Sequence, residues 1–226
     1  MVVHKGRSAH LVVVTRASRK ELTWWIHQLD RADQTGLPLA SRYSFPGASS
    51  ESHLVRYSDA ARELDQPIER SGGGAWAVIR GVFYYVIWTW AQWEIEKFSI
   101  NVLEAKARDI GGIAFLDKAK ELGCVITHTS AYVDNTTAEH IAERGRTSTA
   151  MLNALNIARL TDLRARGVHE TNERVTSVDN DVADALSRNA ELEALRFPRD
   201  CGLSCVRIPV TEVHRAWPAL DEGEGC

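Results

Sequence analysis

The 226-residue sequence has few cysteines (four) and few prolines (six). Four thiols are too few to staple a disulfide scaffold. Cys201 and Cys205 form a C-x3-C pair, but no second Cys or His pair follows at zinc-site spacing. They read as reduced thiols of an intracellular protein, in the cytoplasm or nucleus. Long hydrophobic runs are missing too: the densest, GVFYYVIWTW at 81–90, is about half of the ~20 residues a membrane helix needs. LVVV at 11–14 is too short for the apolar region of a signal peptide, and no membrane association is expected. Nor is there an excess of positive charge. Lys and Arg number 27 against 30 Asp and Glu, a net charge of −3, which argues against holding a polyanion by bulk charge. No internal repeat occurs, and SGGG at 71–74 is the one flexible tract.

What is present is an ordinary globular composition, 44% hydrophobic and 25% charged. At this length a chain buries about 70% of its unfolded surface, so no structural metal is needed for stability. Charge is unevenly spread. Residues 1–50 carry seven Lys and Arg against three acids, residues 189–226 carry four against seven, and 51–188 are left at −4.

Patterning divides the chain in three. Residues 1–50 read as a weak strand (Ala9–Thr15) and a helix capped by Ser18 with Glu21, stopped by Gly36 and Pro38, then a linker. From residue 53 strands dominate: HLVRYSDAA (53–61), then GAWAVIRG (74–81) and VFYYVIWTW (82–90), joined by a tight turn. A long helix is expected from Ile95 to Leu122, closed by Gly123, with Gly111 and Gly112 marking a kink or a close helix contact. CVITHTSAYVD (124–134) is a fourth strand. TTAEHIAERG (136–145) is a short helix, Ser148 to Arg166 a second, VHETNERVTSV (168–178) a fifth strand and 180–192 a last helix. The fold class is therefore α/β, a five-stranded mixed sheet in the order β-β-β-α-β-α-α-β-α with flanking helices, over residues 51–192. Residues 193–226 read as a partly flexible C-terminal extension.

Four acids stand where charge is awkward. Asp59 ends the first strand, Asp134 ends the fourth, Glu104 lies among apolar neighbours on the long helix, and Asp184 lies between alanines on the last. If strands one and four are neighbours, Asp59 and Asp134 meet at the carboxyl edge, where open α/β sheets bind ligands. Carboxylates converging without a local Lys or Arg repel one another. Hard divalent cations resolve this, and two ions about 3.5–4 Å apart suit phosphodiester hydrolysis by water. Polar neighbours of the acids, Asn101, Asn135, Thr136 and Asn180, are candidate substrate contacts, and equally caps or turn residues. Arg144, Arg146 and Arg164 read as phosphate contacts or as solvated helix faces. Trp76, Trp88 and Trp90 read as core packing ahead of base stacking, and His169 as a surface or packing residue.

The succession YSDAA, INVLEAKA, VDNTTAEHI and N-x-x-AD-x-LSR (Asn180 to Arg188) resembles the ribonuclease H domain of retroelement reverse transcriptases. The likeness is greatest to DIRS-type and Ngaro-type elements, which mobilise with a tyrosine recombinase. It covers roughly residues 50–190, and the motifs fall in order on the expected elements. The resemblance implies a ribonuclease H-like fold and cleavage of the RNA strand of an RNA–DNA hybrid. It also implies Asp59, Glu104, Asp134 and Asp184 as catalytic ligands of two Mg²⁺ ions, with Mn²⁺ as substitute. Residues 1–50 would correspond to the polymerase-to-ribonuclease H connection, with an attached or associated polymerase as partner. Three departures stand out. The first motif reads DAA where the family has Ser or Gly after the Asp. The loop before the last helix, SVDND (177–181), lacks the family's His. No basic protrusion separates the middle helices, which RGRT (144–147) joins. The competing functional class is a catalytically silent, nucleic-acid-binding or scaffolding domain of the same fold; integrase-like or junction-resolving chemistry is a third reading.

Overall fold

The protein is described by a computed structural model, which covers residues 52–64, 67–134 and 150–211. The expected strand and helix within 1–50, and the short helix at 136–145, lie outside the described residues. So do Asn135, Thr136, Arg144 and Arg146.

Strands β1 (His53–Ala60), β2 (Gly72–Ile79) and β3 (Val82–Thr89) form the expected antiparallel meander. The β2–β3 hairpin turns through Arg80 and Gly81, both at positive φ (50° and 75°), as a two-residue turn matched to strand twist requires. β3 is apolar almost throughout because both faces are covered. Tyr84, Val86 and Trp88 enter one core, and Phe83, Tyr85 and Ile87 the other.

After β3 come the short helix α1 (Gln92–Lys97) and the long helix α2 (Ile100–Glu121). Fourteen of the 22 residues of α2 are buried, including Lys106, Arg108 and Asp109, so this helix runs through the middle of the fold. Of the two expectations for Gly111 and Gly112, close contact is the one met. α2 is continuous through both; a Cβ at Gly111 would lie 2.6 Å from Ala75 Cβ and one at Gly112 2.9 Å from the Arg56 guanidinium carbon. β4 (His128–Val133), helix α3 (Ala150–Arg166) and β5 (His169–Arg174) follow. β4 lies parallel to β1 on one side and parallel to β5 on the other. Both strands are shorter than the patterns suggested.

Helix α4 (Asp181–Ser187) is likewise shorter than the 180–192 expected, and two short helices, α5 (Glu191–Ala194) and α6 (Arg196–Asp200), follow it. The break is at Asn189, which adopts φ 58° while its amide donates to Thr89 Oγ1 at 3.2 Å. α4 packs on the sheet face opposite α2, through Val182, Ala185 and Leu186. It can come this close because β2 is glycine there: a Cβ on Gly74 would lie 2.4 Å from Leu186 Cβ and 2.6 Å from the Ser187 nitrogen.

The sheet has six strands rather than five, in the order β5-β4-β1-β2-β3-β6. The additional strand, β6 (Ser204–Arg207), lies parallel to β3 and comes from the stretch expected to be an extension. Four mostly exposed residues carry too little pattern to announce a strand; backbone pairing to β3, extended by the Ile208 N–H to Tyr85 O bond at 2.8 Å, makes it one. The α/β class, the mixed sheet and helices on both faces are as expected.

A buried charge network ties four elements together. Arg56 on β1 donates to the Arg108 carbonyl on α2 at 2.6 Å and pairs with Glu170 on β5. Arg159 on α3 meets the same Glu170 and donates to Asn156 Oδ1 at 2.8 Å, while Arg108 pairs with Asp109 at 2.8 Å. Burial opposes the charge on Glu170, but the guanidinium groups of Arg56, Arg159 and Arg108 outweigh it and hold the carboxyl down at about 2. A depressed acid stabilises the fold above its unfolded value of about 4.3 and loses that contribution as pH falls toward 2. Glu170→Ala should therefore cost about 3–5 kcal/mol in urea unfolding at neutral pH, because two buried guanidinium groups lose their counterion. The difference from the parent should shrink in acid; a variant as stable as the parent at pH 7 would contradict this.

Candidate active site

Parallel pairing of β1 with β4 sets the site. Tyr57 stands opposite Tyr132, so two residues further along Asp59 and Asp134 arrive side by side at the carboxyl edge. Glu104, one turn into α2, reaches the same point, and the three carboxylates each offer an oxygen within 4.8 Å of the others. Among the described residues this is the one such group of potential metal ligands.

Asp59 is the buried member, 8% exposed, with Glu104 and Asp134 half-buried. Its carboxyl is pushed up to about 6, by burial first and by the charges of Asp134 and Asp184, while hydrogen bonds from Ser187 and the Ala60 backbone pull the other way. The Ser187 hydroxyl, fully buried, donates to Asp59 Oδ2 at 2.7 Å, and Ser177 donates to Asp134 Oδ2 at 3.1 Å.

Asp184 is not one of the three. It stands on α4 near enough to raise Asp59 electrostatically, but it is engaged by Arg188 one turn on, whose Nε lies 3.0 and 3.1 Å from the two carboxylate oxygens. Arg188 also pairs with Glu63. The four expected acids thus face one region, three of them gathered and one held by a cation.

The polar candidates separate. Asn101 is half-buried on the first turn of α2, three residues before Glu104. Asn180 is 1% exposed, and its amide donates to the Ser58 carbonyl at 3.3 Å. That burial makes it a strut between the start of α4 and the end of β1 rather than a group open to substrate. Trp88 and Trp90 are core residues as expected, and Trp76 stacks on Tyr57 at 4.2 Å between ring centroids. His169 lies at the start of β5, at the opposite end of the sheet from the acids. The sequence assigns no role to Ser187 and Arg188, which close the N-x-x-AD-x-LSR motif, nor to Ser177 in the SVDND loop, and Glu63 reads there as plain surface. For the first two a signal existed, since they fall three and four residues after Asp184. Glu63 and Ser177 lie in loops and had none.

The donor set fits a hard divalent cation: three carboxylates, one of them buried and destabilised as an anion. Asp59, Glu104 and Asp134 would hold such an ion.

No protein-family model matches the sequence, and no curated protein matches it. Among solved structures, the chain is similar to RNase H1 from the halophilic archaeon Halobacterium salinarum, with a TM-score of 0.45, 19% identity, and 62% of this chain and 98% of that one covered. It is similar to the N-terminal RNase H domain of a Mycobacterium tuberculosis protein, with a TM-score of 0.45, 20% identity, and 59% and 95% covered. A third is an RNase H1 isolated from compost, with a TM-score of 0.42, 14% identity, and 62% and 99% covered.

The raised carboxyl of Asp59 has a consequence for stability without metal. A group raised in the folded state leaves stability intact below its unfolded value, near 3.8, and withdraws it as pH rises through about 6. Asp59→Asn should then be more stable than the parent by about 2–3 kcal/mol at pH 8 and no more stable at pH 4. Added Mg²⁺ should narrow the gap by stabilising the parent alone. Thermal melts at the two pH values, with EDTA and with Mg²⁺, check this; superimposable melts at pH 8 in EDTA would contradict it.

Proposed function

We propose that the protein is a ribonuclease H, a metal-dependent endonuclease that hydrolyses the RNA strand of RNA–DNA hybrids. The observation that carries this is the convergence of Asp59, Glu104 and Asp134 at the carboxyl edge, with Asp184 beside them. Further support comes from the sequence. The four motifs that resemble retroelement ribonuclease H domains supply these four acids, from β1, α2, the end of β4 and α4.

Two Mg²⁺ ions, or Mn²⁺, held by the four acids would activate the attacking water and stabilise the leaving oxygen as the phosphodiester bond breaks. The chain's own contribution is placement. β1 and β4 fix Asp59 and Asp134 through backbone pairing, α2 carries Glu104 on a buried helix, and Ser187 orients the Asp59 carboxylate. Hybrid recognition requires polar groups for a shallow minor groove and its 2′-hydroxyls. Asn101, half-buried three residues before Glu104, is proposed for that role, as are Asn135 and Thr136, which adjoin Asp134 in sequence. In this reading residues 1–50 are the connection to a reverse transcriptase polymerase, residues 51–192 the ribonuclease H domain, and the setting retroelement replication inside the cell. The absent loop His and basic protrusion imply weak hybrid affinity for the isolated chain, and salt should weaken it further.

A hybrid of labelled RNA and DNA incubated with the chain in Mg²⁺ should lose its RNA strand, and EDTA should stop the reaction. Glu104→Gln removes a ligand and should lower the rate by more than the roughly 10–100-fold typical of changes behind the ligands. Asn101→Ala should weaken hybrid binding with less effect on turnover. Undiminished cleavage by Glu104→Gln, or hybrid binding indifferent to Mg²⁺ without any cleavage, would overturn the assignment.

A further inference from the structure

Three of the chain's eight histidines, His53, His128 and His169, are the first residues of β1, β4 and β5. In the sheet they are direct partners: His53 stands opposite His128, and His128 opposite His169. Neighbouring strands lie about 4.8 Å apart, and partner residues project from the same face. The three imidazoles thus form a row across three adjacent parallel strands. The row is on the face that bears Tyr57 and Tyr132 and at the other end of β1 from Asp59, about 20 Å along the strand. All three residues are half-buried, open to solvent on one side. The proposed chemistry at the acids uses none of them.

We infer that His53, His128 and His169 form a second metal site, selective for a borderline transition-metal ion such as Zn²⁺, Co²⁺ or Ni²⁺. The His128 and His169 rings lie 5.9 Å apart between centroids, at 63° to one another. A tetrahedral Zn²⁺ with bonds of about 2.0–2.1 Å to two imidazole nitrogens sets ring centres roughly 5 Å apart. The nitrogens of the three rings do not all lie within 4.8 Å of one another, so the rings turn inward to share the ion. Thr127 Oγ1 lies 2.9 Å from His128 Nδ1, an outer partner that fixes the ring and turns Nε2 toward a ligand position. His53 is the third donor; its Nε2 lies 2.9 Å from Ser130 Oγ, one pleat along the neighbouring strand, and exchanges that contact for the ion. Imidazoles suit these ions and are poor ligands for Mg²⁺, whereas the acids at the carboxyl edge have the opposite preference. Bound there, an ion clamps the amino ends of β1, β4 and β5.

Titrating the full chain with CoCl₂ and with ZnCl₂ in excess Mg²⁺, followed by visible absorption and calorimetry, tests this. One equivalent should bind, with cobalt absorption bands that Zn²⁺ abolishes, and Zn²⁺ should raise the melting temperature. His128→Ala and His169→Ala should each weaken binding by roughly tenfold or more. Metal-free melts and circular dichroism identify any variant that fails to fold, and His128→Gln and His169→Gln then take its place. Glu104→Gln should leave the titration unchanged, and hybrid cleavage in Mg²⁺ by the histidine variants should equal that of the parent. Absence of Zn²⁺ binding overturns the inference, as does binding that survives both histidine substitutions or is lost in Glu104→Gln.

Discussion

Repulsion among Asp59, Glu104 and Asp134 is the constraint around which the fold is arranged. Three carboxylate oxygens within 4.8 Å, one on a residue 8% exposed, constitute a charge cluster that a flexible chain would disperse. Hydrogen bonds from Ser187 and Ser177 ease the charge on two of the acids, and the backbone fixes where the acids stand. β1 and β4 are locked by their parallel ladder, and α2 is pinned to β1 because Arg56 reaches across to the Arg108 carbonyl, one turn beyond Glu104. α4 is seated on β2 through Gly74 and brings Ser187 to Asp59. Each contact lies on a different element, so the acids cannot separate without disturbing the sheet. The scaffold stores this repulsion, and a divalent cation would release it.

The Arg56–Glu170–Arg159 network belongs to the same logic. Replacing buried ion pairs by apolar side chains is often neutral or stabilising, so the network is poorly explained as a source of stability alone. Its geometry suggests register instead. Arg56, Arg108, Arg159 and Glu170 come from β1, α2, α3 and β5, and slipping any one of them by a residue would leave a charge buried without its partner. Gly112, with no room for a Cβ beside the Arg56 guanidinium, is the complementary device on the helix. A site needing carboxylates held to fractions of an ångström gains more from such a register lock than from a softer apolar core.

What could be read in the sequence follows from how local each signal is. The β2–β3 hairpin was legible because the apolar run and the Arg80-Gly81 turn lie within ten residues of one another. Asp59 and Asp134 were legible as strand-ending acids, and Glu104 and Asp184 as acids among apolar helix neighbours. What was not legible depends on distant partners. Glu170 looks like any exposed strand acid until Arg56, 114 residues away, meets it. Asn180 looks like a cap or a substrate contact until the Ser58 carbonyl, 122 residues away, takes its amide. β6 has no pattern of its own and exists through β3. The early end of α4 lay in one residue, Asn189, whose left-handed backbone is fixed by Thr89 across the fold.

Asp184 shows where backbone control stops. The other three acids are placed by strand pairing and by a buried helix, whereas Asp184, with its side chain 44% exposed, takes its position from a contact with Arg188, itself 38% exposed and shared with Glu63. Solvent screens that pair, so its hold on Asp184 is weak compared with the lock on Asp59. Yet the charge of Asp184 is felt at Asp59. Under the proposed function, a tightly fixed trio would set where an ion sits, and the loosely held fourth acid would follow as charge changes nearby. The net charge of −3 takes on a different meaning in this light. The surplus of acid is partly concentrated at one sheet edge, where it would repel a polyanion and where a bound cation would offset it.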